Sequence, residues 1–545
     1  MQVRRKGAQC VREAAMRAWI GAALLGIGAV GSPDTLAVAH AQSAQSAPAR
    51  LGMVDQFYRG RAVINAAVQA AGGAQALRAI TAISYVAAGD VSNDIQGYSA
   101  ARIGDPARDG GLRIVSRFDF AGSRFYQQIQ QHYESGYDSA FATIWRGGVQ
   151  YSPRWVPRDY TETANAPSPF AAGGAIMVSS RWLPPIILQR ALQNFRSVAW
   201  IGESTLAEGP ADIVEFSFDE FTRFRVHVVR ANHKIRRVEA VAPDPISADD
   251  VSIAELSGDQ TVAGVTFPTG IRALRRGAPT QTLQLTDVAI NPAFSDADFS
   301  PPEGFTLVAA EPQVRATQIA GRVYEVSGLA GGTYQVPFVV MDDFVVAYEA
   351  PLGIAQTRQV IAEIRRVAGD KPIRYVVVSH FHADHAGGVG AYVEAGATVL
   401  SSPENQAVLQ SYAASNRPQF QGLEGPRADV TMPFQPVPAA GYDIVDRAGS
   451  RLQVLDFAGT SHVDHMLALY DPEAHVFMGA DHYIEAVLWN PTFERVADWV
   501  RDNRGVATLL GVHVRPMSRE TYLERAQRRR GEPRRGRITW EGLRR

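Results

Sequence analysis

The chain has 545 residues, longer than one compact core supports, so two or more domains are expected. Hydrophobic residues make up 46% and charged residues 20%, which argues against a disordered chain and against a multi-span membrane protein. A formal net charge of −1 argues against a chain-wide nucleic-acid surface.

The N-terminus reads as an export signal. Arg4, Arg5, Lys6, Arg12 and Arg17 form a basic region, residues 18–30 are apolar, and Ala39-His40-Ala41 is a small-x-small site. Cleavage after Ala41 is expected, which makes residues 1–41 a signal peptide and the product periplasmic or secreted. An uncleaved anchor is disfavoured because the apolar run falls short of the roughly 20 residues a span needs. Arg4-Arg5 hints at twin-arginine export, although the rest of that motif is missing. Removing residues 1–41 takes away five basic and two acidic residues, leaving 49 against 53 and a net charge of −4. Cys10, the single cysteine, leaves with them. The mature chain therefore has no disulfide, no thiolate ligand and no membrane span. A metal site in it must use His and carboxylate.

Residues 42–50 read as a polar linker, and a helical stretch over 54–80 is interrupted near Gly72-Gly73. From 83 to 298 the texture is β. The runs 112–118, 213–218, 224–229 and 235–241 alternate or are β-branched, and 230–234 reads as a hairpin turn. A helix over 188–195 is expected after Pro184-Pro185. Strands without alternating helices point to one large antiparallel sheet, curved or half-closed. The stretch Gly264-Val265-Thr266-Phe267-Pro268, residues 282–290, Asn291 and Phe299-Ser300-Pro301-Pro302 resembles periplasmic lipoprotein-carrier-like domains, as does Gly72-Gly73-Ala74 with Leu77. That resemblance implies a half-barrel with an apolar concave face. The plainer alternative is a sheet packed on the next domain.

A second texture starts near Ile319. Strands over 336–340 and 344–348, an amphipathic helix over 354–367 and a buried strand over 375–378 follow α/β logic. The last strand runs straight into Ser379-His380-Phe381-His382-Ala383-Asp384-His385-Ala386-Gly387-Gly388. His380 and His382 are two apart, so on an extended segment they point to one side. Asp384 and His385 fall where the chain turns into a helix and can face a second point. Eight of the twelve histidines lie between His380 and His513, as metal sites require and packed cores rarely do. Residues 525–545 hold nine Arg and two Glu and read as a solvated basic tail, with contact to an anionic surface as the sharper reading.

The H-x-H-x-D-H run resembles the metallo-β-lactamase superfamily, over residues 319–515. The remaining motifs of that family fall in order. His462 precedes the strand opened by Leu467, with His465 as the competing candidate; Asp481 follows residues 476–480, and His513 follows residues 509–512. The resemblance implies an α+β chain with a C-terminal αββα sandwich over 311–520. Before it stands the antiparallel, half-barrel-like β domain over 81–310, with 42–80 as linker and helical segment and 521–545 as tail. It also implies that His380, His382 and His462 hold one metal, that Asp384, His385 and His513 hold a second, and that Asp481 bridges both. Two Zn2+ suit this set, with Mn2+ or Fe also compatible. Glu349 stands where the family has an Asp that orients a ligand His.

Such a site lowers the pKa of a bridging water from about 15.7 toward about 7. Asp384 would orient the hydroxide and pass a proton to the leaving atom. His482 and Tyr483 are candidates for oxyanion stabilisation, with ordinary loop packing as the alternative. Asp481 stands where thiolate-bearing β-lactamases have Cys, and so resembles the thioesterase, lactonase and phosphodiesterase branches. The expected function is an exported dinuclear zinc hydrolase acting on an ester, lactone, thioester or related carbonyl of a small, apolar-leaning molecule. A mononuclear iron persulfide dioxygenase of the same fold and an apolar-ligand-binding protein with a secondary metal site compete with it. A diiron flavoprotein would carry Glu where His382 stands. No nucleic-acid partner is expected, and the sequence leaves the oligomeric state open.

Overall fold

The computed structural model describes residues 52–531 apart from 93–96, 103–109, 134–137, 156–157, 165–181, 218–222, 245–247, 276, 310–312, 333, 415–429, 461 and 484–491. The expected signal peptide, the linker up to residue 51 and the tail beyond 531 lie outside the described residues. From residue 51 onward the chain forms one compact unit. No helix among the described residues is long and apolar enough to cross a membrane.

Two helices open the described chain, Met53–Ala70 and Ala74–Arg78. The break between them is conformational. Gly72 and Gly73 sit at φ 121° and 89°, a region that costs side chains dearly. A Cβ on Gly72 would also collide with the Gly264 carbonyl, so glycine is needed for close approach as well. A further helix spans Pro184–Gln193, starting on the prolines rather than after them as the sequence reading has it. Proline in the first helical turn loses no hydrogen bond, because those N–H groups have no partner in any case.

A 14-stranded sheet accounts for the β texture. From the edge strand Thr306–Leu307 it runs through Asp159–Ala164 and back along the chain to Ala82–Val91, which pairs antiparallel with Ala278–Ile290. It then continues through Gly270–Arg275 to the other edge at Ala199–Leu206. Alternation decides which face is buried. Phe224, Val226 and Val228 point inward with Phe118, Phe125, Val214 and Phe216, and meet Ile64, Val68, Ile186, Ile187 and Leu188 of the helices. Helices thus cover this apolar face, and the described residues form a packed core there. The hairpin turn falls between Arg223–Val229 and Ile235–Asp244, with His233 at φ 57° and its N–H on Val229 O.

The chain is α+β, and its C-terminal part is a sandwich of two sheets. One has seven strands in sequence order, from Arg315–Ala320 to Phe434–Pro436. Among its parallel members, Val345–Tyr348 is buried throughout, as a strand covered on both faces must be, and Ile373–Val377 and Thr398–Ser401 bury Val376, Val377, Val399 and Leu400. The other has six strands, from Tyr442–Val445 to Met517–Ser518. Val339, Val346, Val376, Leu452, Leu467 and Met478 belong to the core shared by the two sheets. Ile354–Ala368 covers the first sheet, while Thr492–Asp502 and Arg519–Gly531 pack with Tyr470, Phe477 and Leu509 of the second. Arg322, in the turn joining the first two strands of the first sheet, and Asp471 of the second sheet, fully buried, form a two-pronged ion pair at 2.8 and 3.1 Å.

Candidate metal centre

The centre grows out of one strand end. Ile373–Val377 stops inside the first sheet, and residues 378–382 carry on without regular structure, with a bend at His380, before the short helix Ala383–Ala386. Alternation puts Phe381 into the core, where its carbonyl accepts from Tyr412 OH, and leaves His380 and His382 on the other side with ring centroids 4.4 Å apart. The helix that follows packs tightly on Ile354–Ala368. A Cβ on Gly388 would overlap the Thr357 hydroxyl, so a side chain there would push the His385 turn away.

Two groups of donor atoms converge. His380, His382, His462 and Asp481 each offer an atom within 4.8 Å of the others, and so do Asp384, His385 and His513. Asp481 faces both. Its Oδ2 lies 3.0 Å from His462 Nε2 and 3.9 Å from His380 Nε2. Its Oδ1 lies 3.1 Å from His513 Nε2 and 3.2 Å from His385 Nε2. The residues that would hold metal fit one: His380 Nε2 is buried with no hydrogen-bond partner, an arrangement that is costly unless a cation uses its lone pair. The donor set is imidazole and carboxylate, which suits first-row divalent ions.

The electrostatics separate the two groups. Burial, then His385 and His382, hold His380 well below the usual imidazole range; burial and His462 push His382 down to about 3. Both therefore present neutral rings at neutral pH. Burial also opposes charge on His385 and His513, but Asp481 and Asp384 outweigh it, raising His385 well above 6.5 and His513 to about 9. The same contacts hold Asp384 and Asp481 ionised against burial.

Residues 352–486 match the sequence profile of the Metallo-beta-lactamase superfamily. The C-terminal domain belongs to the metallo-β-lactamase superfamily. A stretch of 40 residues is also 50% identical to the linear primary-alkylsulfatase of Pseudomonas sp. (strain ATCC 19151), and this match spans 7% of this chain and 7% of that protein. Among solved structures, a metallo-β-lactamase from Pontibacter korlensis aligns with TM-score 0.32 and 15% identity, covering 40% of this chain and 100% of that one. The metallo-β-lactamase FIM-1 from Pseudomonas aeruginosa, in a mono-zinc form, gives 0.31 and 17%, covering 39% and 93%. The stretch that matches the family carries every candidate ligand but His513, in a His/Asp site able to hold metal ions.

Around the metallo-β-lactamase site, neighbours hold the ligands in place. Glu349 accepts from His385 Nδ1 at 3.1 Å and from Ser379 N at 3.0 Å. Ser379 Oγ lies 2.7 Å from His380 Nδ1. His462 joins the ligand group, whereas His465 pairs through Nδ1 with Asp456 at 2.8 Å. The ring of His482 lies edge-on to Phe457 and Phe477, and its Nδ1 accepts from Ala480 N. Tyr483 packs on Phe493 and receives a hydrogen bond from Arg525 at 3.1 Å. These contacts of His482 and Tyr483 are packing and support contacts, and none of them is to a ligand side chain.

Two contributors escape a reading of the sequence. Tyr334 donates to Asp384 Oδ2 at 3.1 Å and packs edge-on to His513 at 4.7 Å. Gly97, from the segment joining two strands of the large sheet, brings its carbonyl 2.8 Å from His382 Nε2. A carbonyl only accepts, so the neutral His382 carries its proton on Nε2 and keeps the Nδ1 lone pair for a metal. The segment is fastened beside it: Ser99 Oγ donates to Asp464 Oδ2 at 2.6 Å, and Asp464 N donates to Tyr98 O at 2.9 Å. No local motif signals either contact, because the partners are separated by 50 and 285 residues.

Proposed function

We propose that this chain is an exported two-metal hydrolase, with zinc as the metal, acting on an ester, lactone, thioester or related carbonyl of a small molecule. The observation that carries the reading is the division of Asp481, with one oxygen toward His380 and His462 and the other toward His385 and His513. A carboxylate so placed suits two cations side by side better than one. Bound there, two divalent cations supply an acidified water and a Lewis acid for the scissile carbonyl.

The protein's own groups do the rest. Gly97 O fixes the neutral His382 in one tautomer, and Glu349 fixes the orientation of the His385 ring through Nδ1–H, so the metal-facing nitrogen of each is aimed before a ligand arrives. Asp384 Oδ2, steadied by Tyr334, lies 3.4 Å from His385 Nε2 and 3.6 Å from His513 Nε2. Its carboxylate is the group positioned to orient a nucleophilic water and to carry its proton to the leaving atom. Export rests on the basic and apolar N-terminal segment of the sequence. N-terminal sequencing of the purified periplasmic protein tests it: a start near Gln42 supports export, an intact Met1 opposes it.

The activity is tested by screening the zinc-loaded protein against lactones, aryl esters, thioesters, β-lactams and phosphodiesters, with and without a chelator. The short similarity to an alkylsulfatase adds sulfate esters to that panel. Turnover of at least one class that the chelator abolishes supports the reading. Turnover untouched by the chelator overturns it.

A further inference from the structure

The large sheet carries a hydrogen-bonded relay of three side chains, none of them a metal-ligand candidate. Val226 and Val228 point into the helix-covered core, so His227 between them points to the opposite face. There His227 Nε2 lies 3.0 Å from Glu239 Oε1, and Nδ1 lies 2.8 Å from Ser204 Oγ. The three residues come from strands Ala199–Leu206, Arg223–Val229 and Ile235–Asp244. The His227 hydrogen bond, working against burial, holds the Glu239 carboxyl below its ordinary range, so Glu239 is an anion that can only accept. Arg237 Nε donates to the same oxygen at 3.0 Å and anchors it. In the neutral ring, Nε2 therefore carries the proton, Nδ1 is the acceptor, and the Ser204 hydroxyl donates to it. His227 is buried, whereas Ser204 keeps part of its surface in solvent.

The edge of the sheet adds backbone donors. Arg230 N donates to Pro210 O, so Pro210 and Asp212 turn their backbone groups toward strand Arg223–Val229, and Ala211 between them turns toward Ser204. Ser204 pairs back with Ala211, and the N–H groups of Glu203 and Thr205 point off the sheet edge. The N–H that follows a nucleophilic serine is a recurring oxyanion donor.

We propose that Ser204, His227 and Glu239 form a second, metal-independent site, in which Ser204 is the nucleophile toward a carboxylic ester that reaches this open sheet edge. Ser204 Oγ bonds to the acyl carbon while its proton passes to His227 Nδ1. The ester C–O bond breaks, and that proton leaves with the alcohol. Water then adds to the acyl carbon and gives a proton to Nδ1, the Oγ–C bond breaks, and Oγ recovers the proton as the acid departs. Glu239 stabilises the imidazolium through Nε2–H without taking its proton. The two ring nitrogens are exchanged relative to the serine proteases, where the acid faces Nδ1, but the nucleophile, base and orienting acid keep their roles.

The test uses the full chain with a chelator present, so that metal ions do not contribute. The protein is treated with a fluorophosphonate, which captures activated serines, and separately with para-nitrophenyl acetate. Peptide mass spectrometry follows the label at Ser204 and at every other serine of the chain. Ser204 is expected to react at least about a hundredfold faster than the other serines, the gain a positioned base supplies. His227→Gln removes the base and brings Ser204 down to the rate of the others. Glu239→Gln also slows it, because an amide N–H facing Nε2 favours the tautomer with the proton on Nδ1. Ser204 labelled no faster than the other serines overturns the proposal, and so does a Ser204 rate that both substitutions leave unchanged. His227 is buried, so Glu239→Gln decides the matter should His227→Gln misfold. Failure here leaves the metal centre untouched, and failure of the chelator-sensitive hydrolysis screen leaves this site untouched.

Discussion

Glu349 and His385 are both fully buried, and the Glu349 carboxylate lies 3.1 Å from His385 Nδ1. Glu349 caps strand Val345–Tyr348 at φ 76°, a conformation that costs a non-glycine residue roughly 1–3 kcal/mol and persists where the surroundings impose it. Here the surroundings are the Ser379 N–H and the His385 ring, one on each carboxylate oxygen. The longer side chain, where related chains have Asp, reaches the same kind of partner. Glu349→Gln keeps the shape but places an amide where two donors already point. Metal affinity, read by chelator competition, is expected to fall roughly 10–100-fold, as for other outer-shell partners of metal-bound His. Unchanged affinity would show that the contact does not orient His385.

The Gly97 carbonyl does for His382 what Glu349 does for His385, but from a loop of the large sheet. Asp464 holds that segment through Ser99 and Tyr98. Asp464→Ala removes the Ser99 bond, keeps the backbone bond to Tyr98 O, and so loosens the segment without touching a ligand. Affinity at the His380–His382–His462 group is expected to drop several-fold, while the second group keeps its own. Cobalt substitution with visible spectroscopy distinguishes the two sites; a spectrum and titration identical to wild type would place no role on the large sheet in ligand orientation.

The first four ligands are legible in the sequence because four donors fall within six residues. His462, Asp481, His513 and Glu349 are legible through the resemblance to the family's ordered motifs. Gly97 and Tyr334 are not, since a backbone carbonyl and a lone tyrosine carry no local pattern. The sheet texture shows where strands lie but not that helices Met53–Ala70 and Pro184–Gln193 fill its apolar face; that depends on contacts across more than a hundred residues. His482 reads as a polar group beside the site. Its packing edge-on to Phe457 and Phe477 is set by tertiary contacts that no motif encodes.

Metal uptake is expected to release protons. Burial opposes the charge on His513, but Asp481 and Asp384 hold its pKa at about 9 in the metal-free protein, and His385 is raised by the same pair. At pH 7 both carry protons that a metal must displace. Apparent affinity therefore rises with pH through the His513 pKa of about 9. Calorimetry in buffers of different ionisation enthalpy should show net proton release at the second group; none at pH 7 would contradict the charge assignment.

The sandwich depends on a buried ion pair. Asp471, fully buried, accepts from Arg322 and from the backbone N–H groups of Glu473 and Ala474. Arg322→Met strands that carboxylate in the core, at an expected loss of about 3 kcal/mol in unfolding free energy. Denaturant titration checks this; a loss below about 1 kcal/mol would indicate that Asp471 is satisfied by the backbone alone.

Asp481 joining two ligand groups is the central claim, and counting metal tests it most directly. Protein refolded or purified with zinc and freed of excess is analysed for metal per chain, beside Asp481→Ala. Two zinc ions in the wild type, falling to one or none in the variant, are expected. A single tightly held iron in the wild type, with no zinc bound on exchange, would contradict a two-metal hydrolytic centre.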